Sequence, residues 1–515
     1  MLLCIFYNTT AQVRNTTSGV YNILDFGAVN DSTVLSTDAI NRAIETCFEN
    51  GGGRVSVPAG KFLSGTIILK NNVELHLMPG SYLYASKQIA DFPKQQQPGY
   101  RSLKDAGGWY SLIYAEGANN ISITGSGVID GRGRGRKGVP GGKGGDMDGR
   151  PRNILFISCT NVTVSGVSMF NAAIWNQHYL NCEDVTVSGI RVFNHCNGNN
   201  DGIDIDGCRR FILANSIIDS DDDGIVLKST GPAACENITI TNCIVSSFAN
   251  AIKCGTESTG GFKNIVISNC VVKPSRNKEK SFVRFSHSGI TGISLEIVDG
   301  GIMDGVSIDN IVIEGTECPL YVRLGNRARK YKEDMEVPVV GTMRNIQISN
   351  VMAYQTGNFS SSITGIGSKK IENIYLNNIR FFNKGGLQSG NFRKPRENES
   401  ANHDKVSDSL MNWQYLSSYN EVTEDEKGYP QPTIWRNLPS YGLFIRHVEQ
   451  VFLQNASFIP SAEDPRIPLI AVDVDLLMLQ NIQTGKMSAG MDVLLHKVQK
   501  IKAGKETKIK KRSIK

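Results

Sequence analysis

A short strand motif recurs along this chain at nearly even steps, and a chain that repeats in this way must stack on itself. The motif reads Asn120-Ile121-Ser122-Ile123, Asn161-Val162-Thr163-Val164 and Asp184-Val185-Thr186-Val187, and continues at anchors Phe211, Ile238, Ile265, Val306, Ile346, Ile374, Val451 and Leu477. From Val162 the steps are 23, 26, 27, 27, 41, 40, 28, 77 and 26 residues. The short steps fit one coil of a solenoid, and the long ones fit coils that carry loops or hide a further coil. Within each unit apolar and polar residues alternate, which is the period of a half-buried strand.

Four residues after the anchor stands a second column: Gly125, Gly166 and Gly189, then Asn215, Asn242, Asn269, Asn310, Asn350, Asn378, Asn455 and Asn481. Gly and Asn tolerate positive φ, so the column predicts one left-handed corner per coil, with Asn amides hydrogen-bonding along it. Six of the 11 cysteines also fall in columns (Cys159, Cys182, Cys208, Cys235, Cys243 and Cys270), which suits small apolar side chains in a narrow interior. They are expected as buried free thiols, and no CxxC pair or His-rich cluster indicates zinc. The fold expected is all-β: a parallel β-helix, or solenoid, with an N-terminal capping helix. That helix is read over Thr37 to Asn50, where Ala39, Ile40, Ala43, Ile44 and Cys47 keep helical spacing behind Thr37 or Asp38 as N-cap.

Residues 1–12 resemble the end of a signal peptide, residues 20–485 form the solenoid, and residues 486–515 read as a basic tail. The net charge of +6 is local: Lys497 to Lys515 carries a balance of +8, leaving about −2 elsewhere, so nucleic acid is not an expected partner. No apolar run is long enough for a membrane span. The apolar start favours export to the periplasm or beyond. The Gly- and Arg-rich stretch 131–150 and the polar excursion 384–440 carry no repeat.

Three segments align by coil: Asp201-Gly202-Ile203-Asp204, Asp223-Gly224-Ile225-Val226 and Asn250-Ala251-Ile252-Lys253. This stacks Asp201, Asp223 and Asn250, with Asp222 beside them, at a strand spacing of about 4.8 Å. Carboxylates so close cannot all ionise cheaply, and an acid beside ionised bases is the equipment for glycoside hydrolysis. A Ca²⁺ site and surface Asp-Gly turns are the competing readings of the same residues.

These motifs resemble glycoside hydrolase family 28, the polygalacturonases and rhamnogalacturonan hydrolases. Asn199-Asn200-Asp201 is similar to the family's Asn-Thr-Asp, and Asp221-Asp222-Asp223 to its Gly-Asp-Asp. Ile23-Leu24-Asp25-Phe26-Gly27-Ala28 and Val57-Pro58-Ala59-Gly60 resemble its N-terminal cap. The likeness spans roughly residues 20–485 and implies a right-handed β-helix acting on pectic polysaccharide without cofactor or metal. It implies Asp222 as general acid, Asp201 and Asp223 as the pair that activates water with inversion, and Asn199 and Asp204 as groove residues. Trp175 and His178 resemble the family's Trp-x-x-His, where the Trp either stacks on sugar or packs. The chain departs twice: the family's Gly-His-Gly falls on Ala249-Asn250-Ala251, and its Arg-Ile-Lys carboxylate clamp on Ser294-Leu295-Glu296. Lys228, Lys253 and Arg284 are the expected substitutes; otherwise the subsite takes a neutral sugar, as in rhamnogalacturonan. Long loops between residues 266 and 440 favour exo action. A pectate-type lyase or a non-catalytic polysaccharide-binding β-helix are the other readings.

Overall fold

The computed structural model describes residues 19–95, 109–135, 149–279, 288–393, 414–485, 490–504 and 511–514. The apolar start, Arg284 and parts of both loop regions lie outside the described residues.

The alternating repeats form strands that pair in parallel from coil to coil. One coil comprises Gln177–Leu180, Glu183–Ser188 and Arg191–Asn194; the next Ile203–Asp206, Arg209–Ala214 and Ile217–Ser220; the next Ile225–Ser229, Cys235–Thr241 and Ile244–Ser247. Val185, Phe211, Ile238, Ile265 and Val306 are direct partners along one column, as the spacing predicts. These residues and their i+2 neighbours are buried in the lumen, while the residues between them face solvent. The column runs further than the motif: Val73 precedes Ile121, and Ile501 follows Leu477. The architecture is a right-handed parallel β-helix.

The corner column behaves as its residue types require. Asn215, Asn242, Asn269, Asn310, Asn350, Asn378, Asn455 and Asn481 all have φ between 51° and 56°. Amide bonds run along it, from Asn242 to Asn215 at 3.2 Å, Asn310 to Asn269 at 2.8 Å, and Asn378 to Asn350 at 2.7 Å. The described cysteines are free and buried.

The cap is an α-helix at Thr37–Glu49 that buries all five expected apolar residues; its N-cap is Ser36, one position earlier than expected. Two expectations are corrected. The solenoid does not stop at 485, because Val493–Ala503 adds a strand in register with Ile467–Thr484. Val493 and Leu495 turn into the core, and the basic residues Lys497, Lys500 and Lys502 take exposed positions. The described part of the 384–440 excursion is not a polar loop but a packed flank. Leu416, Val422, Ile434, Trp435 and Leu438 cover Tyr321, Phe444 and Ile470 on the outer face of the strands that continue the Asp-bearing sheet.

Candidate active site

The in-and-out alternation of three neighbouring strands assembles the site. Ile203, Ile225 and Ile252 pair across coils and point into the lumen, and their neighbours Asp204 and Lys253 point outward. Asp201, Asp223 and Asn250, where the chain enters these strands, gather on that outer side, Asp201 at Lys228, and Asp223 at Lys253 and Asn250. Gly202 and Gly224 follow the two aspartates because a Cβ there would lie 2.6 Å from Gly224 O and 2.5 Å from Ala251 O. No larger residue lets these turns close onto the next coil.

Each turn is pinned by side chain to backbone bonds. Asn200 accepts from the N–H of Cys196 at 2.8 Å and donates to Ala172 O and Ile174 O, which shapes the approach to Asp201. Ser220 donates to Asp222 O and Asp223 O, and Ser247 donates to Asp222 O at 2.6 Å. Asp221 turns inward, its Oδ2 3.6 Å from His195 Nδ1, while His195 Nε2 lies 2.8 Å from Asp219 Oδ1. Burial would depress the His195 pKa, but the two carboxylates outweigh it and hold it above the ordinary value.

Asp222 is left half-exposed at the lip, 3.5 Å from the Nδ2 of exposed Asn199. Asp201 and Asp223 lie deeper, at 2 and 4% exposure. Asp223 accepts from Asn250 Nδ2 at 2.7 Å and from Lys253 Nζ at 3.1 Å. Burial pushes its pKa up, but Lys253, Lys228 and these bonds prevail and hold it below the usual carboxylate value. Asp201 moves the other way: burial, then the nearby Asp204 and Asp222, raise it well above the usual value. Asp204 is also pushed up, to about 8, by burial, with Lys228 opposing. The crowded carboxylates therefore sort into an ionised Asp223 and proton-holding Asp201 and Asp204.

The expected groove residues separate into two groups. Asn199 reaches solvent beside Asp222. Asp204 points away from the lumen as expected, yet it is fully covered, its Oδ1 3.5 Å from Lys228 Nζ. Lys228 Nζ also lies 3.8 Å from Asp201, 3.6 Å from Glu257 and 4.7 Å above the Trp175 ring. Of the two readings of Trp175, stacking on sugar or packing, the structure gives packing, and His178, expected as a groove residue, is covered. His178 is wholly buried with Nε2 3.1 Å from Asp206, and Trp175 packs edge-on against it beneath Lys228 and Arg152. Both support the site from behind, His178 from the strand Gln177–Leu180 and Trp175 from the turn that precedes it. Asn250 and Lys253 are each 1% exposed. Arg284 lies outside the described residues.

Two neighbours escaped the sequence reading. Glu257 links Lys228 to Arg327 and Arg329, at 3.6, 3.8 and 3.5 Å. Tyr429 arrives from the excursion, its Oη 3.1 Å from Thr256 Oγ1 and 3.5 Å from Lys253 Nζ. No repeat or spacing marks either residue.

Comparison with known proteins identifies the family of the chain. A probable polygalacturonase of Vitis vinifera is 30% identical over 219 residues, 40% of this chain and 44% of that protein. An exo-poly-alpha-D-galacturonosidase of Dickeya chrysanthemi is 37% identical over 136 residues, 24% of this chain and 22% of that protein. The chain thus spans under half the length of these two curated relatives. The crystal structure of a hyperthermoactive exopolygalacturonase from Thermotoga maritima superposes with a TM-score of 0.59 at 25% identity, over 71% of this chain and 87% of that one. The sequence profile of Glycosyl hydrolases family 28 matches residues 47–320, more than half of the chain and the whole of the Asp-bearing region, and the chain belongs to that family.

Proposed function

We propose that the chain is an inverting hydrolase of α-glycosidic bonds in pectic polysaccharide, acting on galacturonan from a chain end. The observation that carries this reading is the division of labour among three carboxyl groups on two adjacent coils. Asp222 stands at the solvent lip, where it gives its proton to the glycosidic oxygen as the bond breaks. Asp223, ionised beside Lys253, takes the proton of a water held between it and Asp201. Attack from the face opposite the leaving group inverts the anomeric centre. The names of the relatives and of the matched structure support a galacturonan substrate and exo action. The packed flank at residues 414–440 supports a groove walled on one side, since it brings Tyr429 to 3.5 Å from Lys253. A polymer of this kind is met outside the cytoplasm, so we place the enzyme in the periplasm or beyond.

One observation favours a second reading, rhamnogalacturonan with a neutral sugar at the leaving side. Ser294 and Glu296 stand where the family carries its carboxylate clamp, and both are fully buried. Product analysis on polygalacturonate and rhamnogalacturonan in parallel tests both readings. Monogalacturonate released with an inverted anomer by proton NMR supports the first. Cleavage of rhamnogalacturonan alone supports the second. Unsaturated products absorbing in the ultraviolet would overturn hydrolysis in favour of a lyase.

A further inference from the structure

Lys253 was the expected stand-in for the missing clamp, but its ammonium does not face the groove. The side chain is 1% exposed, and Nζ lies 3.1 Å from Asp223 Oδ2 and 4.0 Å from Glu296 Oε2. These three residues come from three successive strands, Ile225–Ser229 with its preceding turn, Asn250–Ser258 and Gly289–Ile297. Register places Ser294 directly opposite Lys253, and Glu296 two residues on. Gly255 makes the approach possible: a Cβ there would lie 2.8 Å from Glu296 Cβ and 3.0 Å from Oε2. Ser294 Oγ donates to Glu296 Oε1 at 2.6 Å and fixes the carboxyl under the lysine. The residues at the clamp positions thus serve Lys253 and not a substrate.

We propose that Asp223, Lys253 and Glu296 form one buried charge triad in which Lys253 is a positioning residue, holding the base Asp223 ionised and aimed at the water, with Glu296 as its counter-charge. This rests on the hydrolase reading above. With Asp223 Oδ2 at 3.1 Å and Tyr429 Oη at 3.5 Å as its acceptors and only 1% of the side chain exposed, the ammonium is covered from a sugar carboxylate, so the triad sets proton affinity and not substrate choice. Other charged groups also face Asp223: Asp201 and Asp204 from the coil before, Asp222 on its own turn, and Lys228 on its own strand. Lys228 is shared among Asp201, Asp204 and Glu257, whereas Lys253 makes the direct bond to Asp223, so Lys253 is the cation whose loss Asp223 should feel most.

The test compares Lys253→Met, Lys253→Arg and Glu296→Gln by kcat, KM and the pH profile of kcat/KM on the polymer the wild type cleaves. For Lys253→Met, kcat should fall about 100-fold, KM should stay within a few-fold, and the acid limb should move to higher pH, because that limb reports the free base. Lys253→Arg should recover at least about tenfold of the loss. Burial raises Glu296 to about 7, with Lys253 opposing, so it carries no charge where Asp223 titrates, and Glu296→Gln should remain active with its acid limb unmoved. A KM raised more than about tenfold at unchanged kcat would make Lys253 a substrate clamp and overturn the proposal. A loss with an unmoved pH profile and no rescue by Arg would reduce it to a structural role. Should Lys253→Met fail to fold, Lys253→Gln, which also removes the charge, decides: an unmoved acid limb overturns the triad. Infrared titration of the Asp223 carboxylate, identified by difference from Asp223→Asn, reads the same shift without any turnover. It separates failure of the triad from failure of the hydrolase reading.

Discussion

Asn250 Nδ2 donates to Asp223 Oδ1 at 2.7 Å, and the Asn250 backbone N–H reaches the same oxygen at 3.2 Å. The resemblance puts a His of the family at this position. Here an uncharged amide takes it, one coil above Asp223, and fixes the rotation of the carboxylate. Lys253 holds the other oxygen, so Asp223 is oriented by two neutral donors and one charged donor from a single strand. Charge-assisted bonds of the second kind are the stronger, which places the electrostatic control of this site on the lysine.

Asp222→Asn keeps the shape of the half-exposed lip residue and removes its transferable proton. Turnover should fall by about 10²–10⁴-fold with an unchanged circular dichroism spectrum and melting temperature. Retention of more than about a tenth of wild-type activity would move the role of acid to another carboxyl.

Asp201→Asn and Asp223→Asn should each slow the reaction, and the double variant should lose less than the product of the two. In the proposed mechanism both residues act on one water, and the charge of Asp223 helps raise the pKa of Asp201 on the adjacent coil. A double-mutant cycle on kcat checks this. Additive free energies would mean that one of the pair only shapes the turn.

Chelators should leave activity unchanged. The two ammonium groups already stand among the carboxylates, Lys253 3.1 Å from Asp223 and Lys228 3.5 and 3.8 Å from Asp204 and Asp201. A divalent cation in the same space would meet like charge at contact distance. Assay after EDTA treatment, with and without added Ca²⁺, is sufficient. Calcium-dependent recovery would speak for a lyase.

Asp204 makes stability depend on pH in the direction opposite to that of a carboxylate held ionised by its partners. Its pKa is about 8 in the fold against about 3.9 in the unfolded chain, so the folded state binds the extra proton between these values. Its contribution to stability therefore falls as pH rises from about 4 to about 8 and is level outside that window. Asp204→Asn abolishes this term. Relative to wild type, the variant should gain melting temperature from pH 5 to pH 8, and a constant difference between the two proteins would refute the assignment.

The lumen was legible in the sequence because one side-chain period repeats on every coil. Val185, Phe211 and Ile238 announce one another, and the Asn corners at Asn215 and Asn242 follow from φ alone. The stacking of Asp201 on Asp223 was legible for the same reason. The outer shell was not. Tyr429 meets Lys253 across 176 residues of chain, a contact that no local pattern encodes. Trp175 and His178 lie on an outward face, yet later coils and Lys228 cover them, so direction along a strand did not tell their exposure. The final strand was hidden by its lysines: charge dominated the composition of Val493–Ala503, although Val493 and Leu495 keep the alternation.

The corner ladder of asparagines has a consequence for how this chain tolerates length changes. Because every coil rests on its neighbour through the same corner, the vertical separation of Asp201 and Asp223 is one rung and nothing else. A residue inserted into the strand that starts at Ile225 would exchange its inward and outward faces and send Lys228 toward the lumen. The same insertion in the turn between Ser229 and Cys235 would lengthen a loop and leave the rung height untouched. The catalytic ruler is thus stiff along the axis and forgiving around the circumference, and new walls for the groove can be grown at the turns without recalibrating the chemistry.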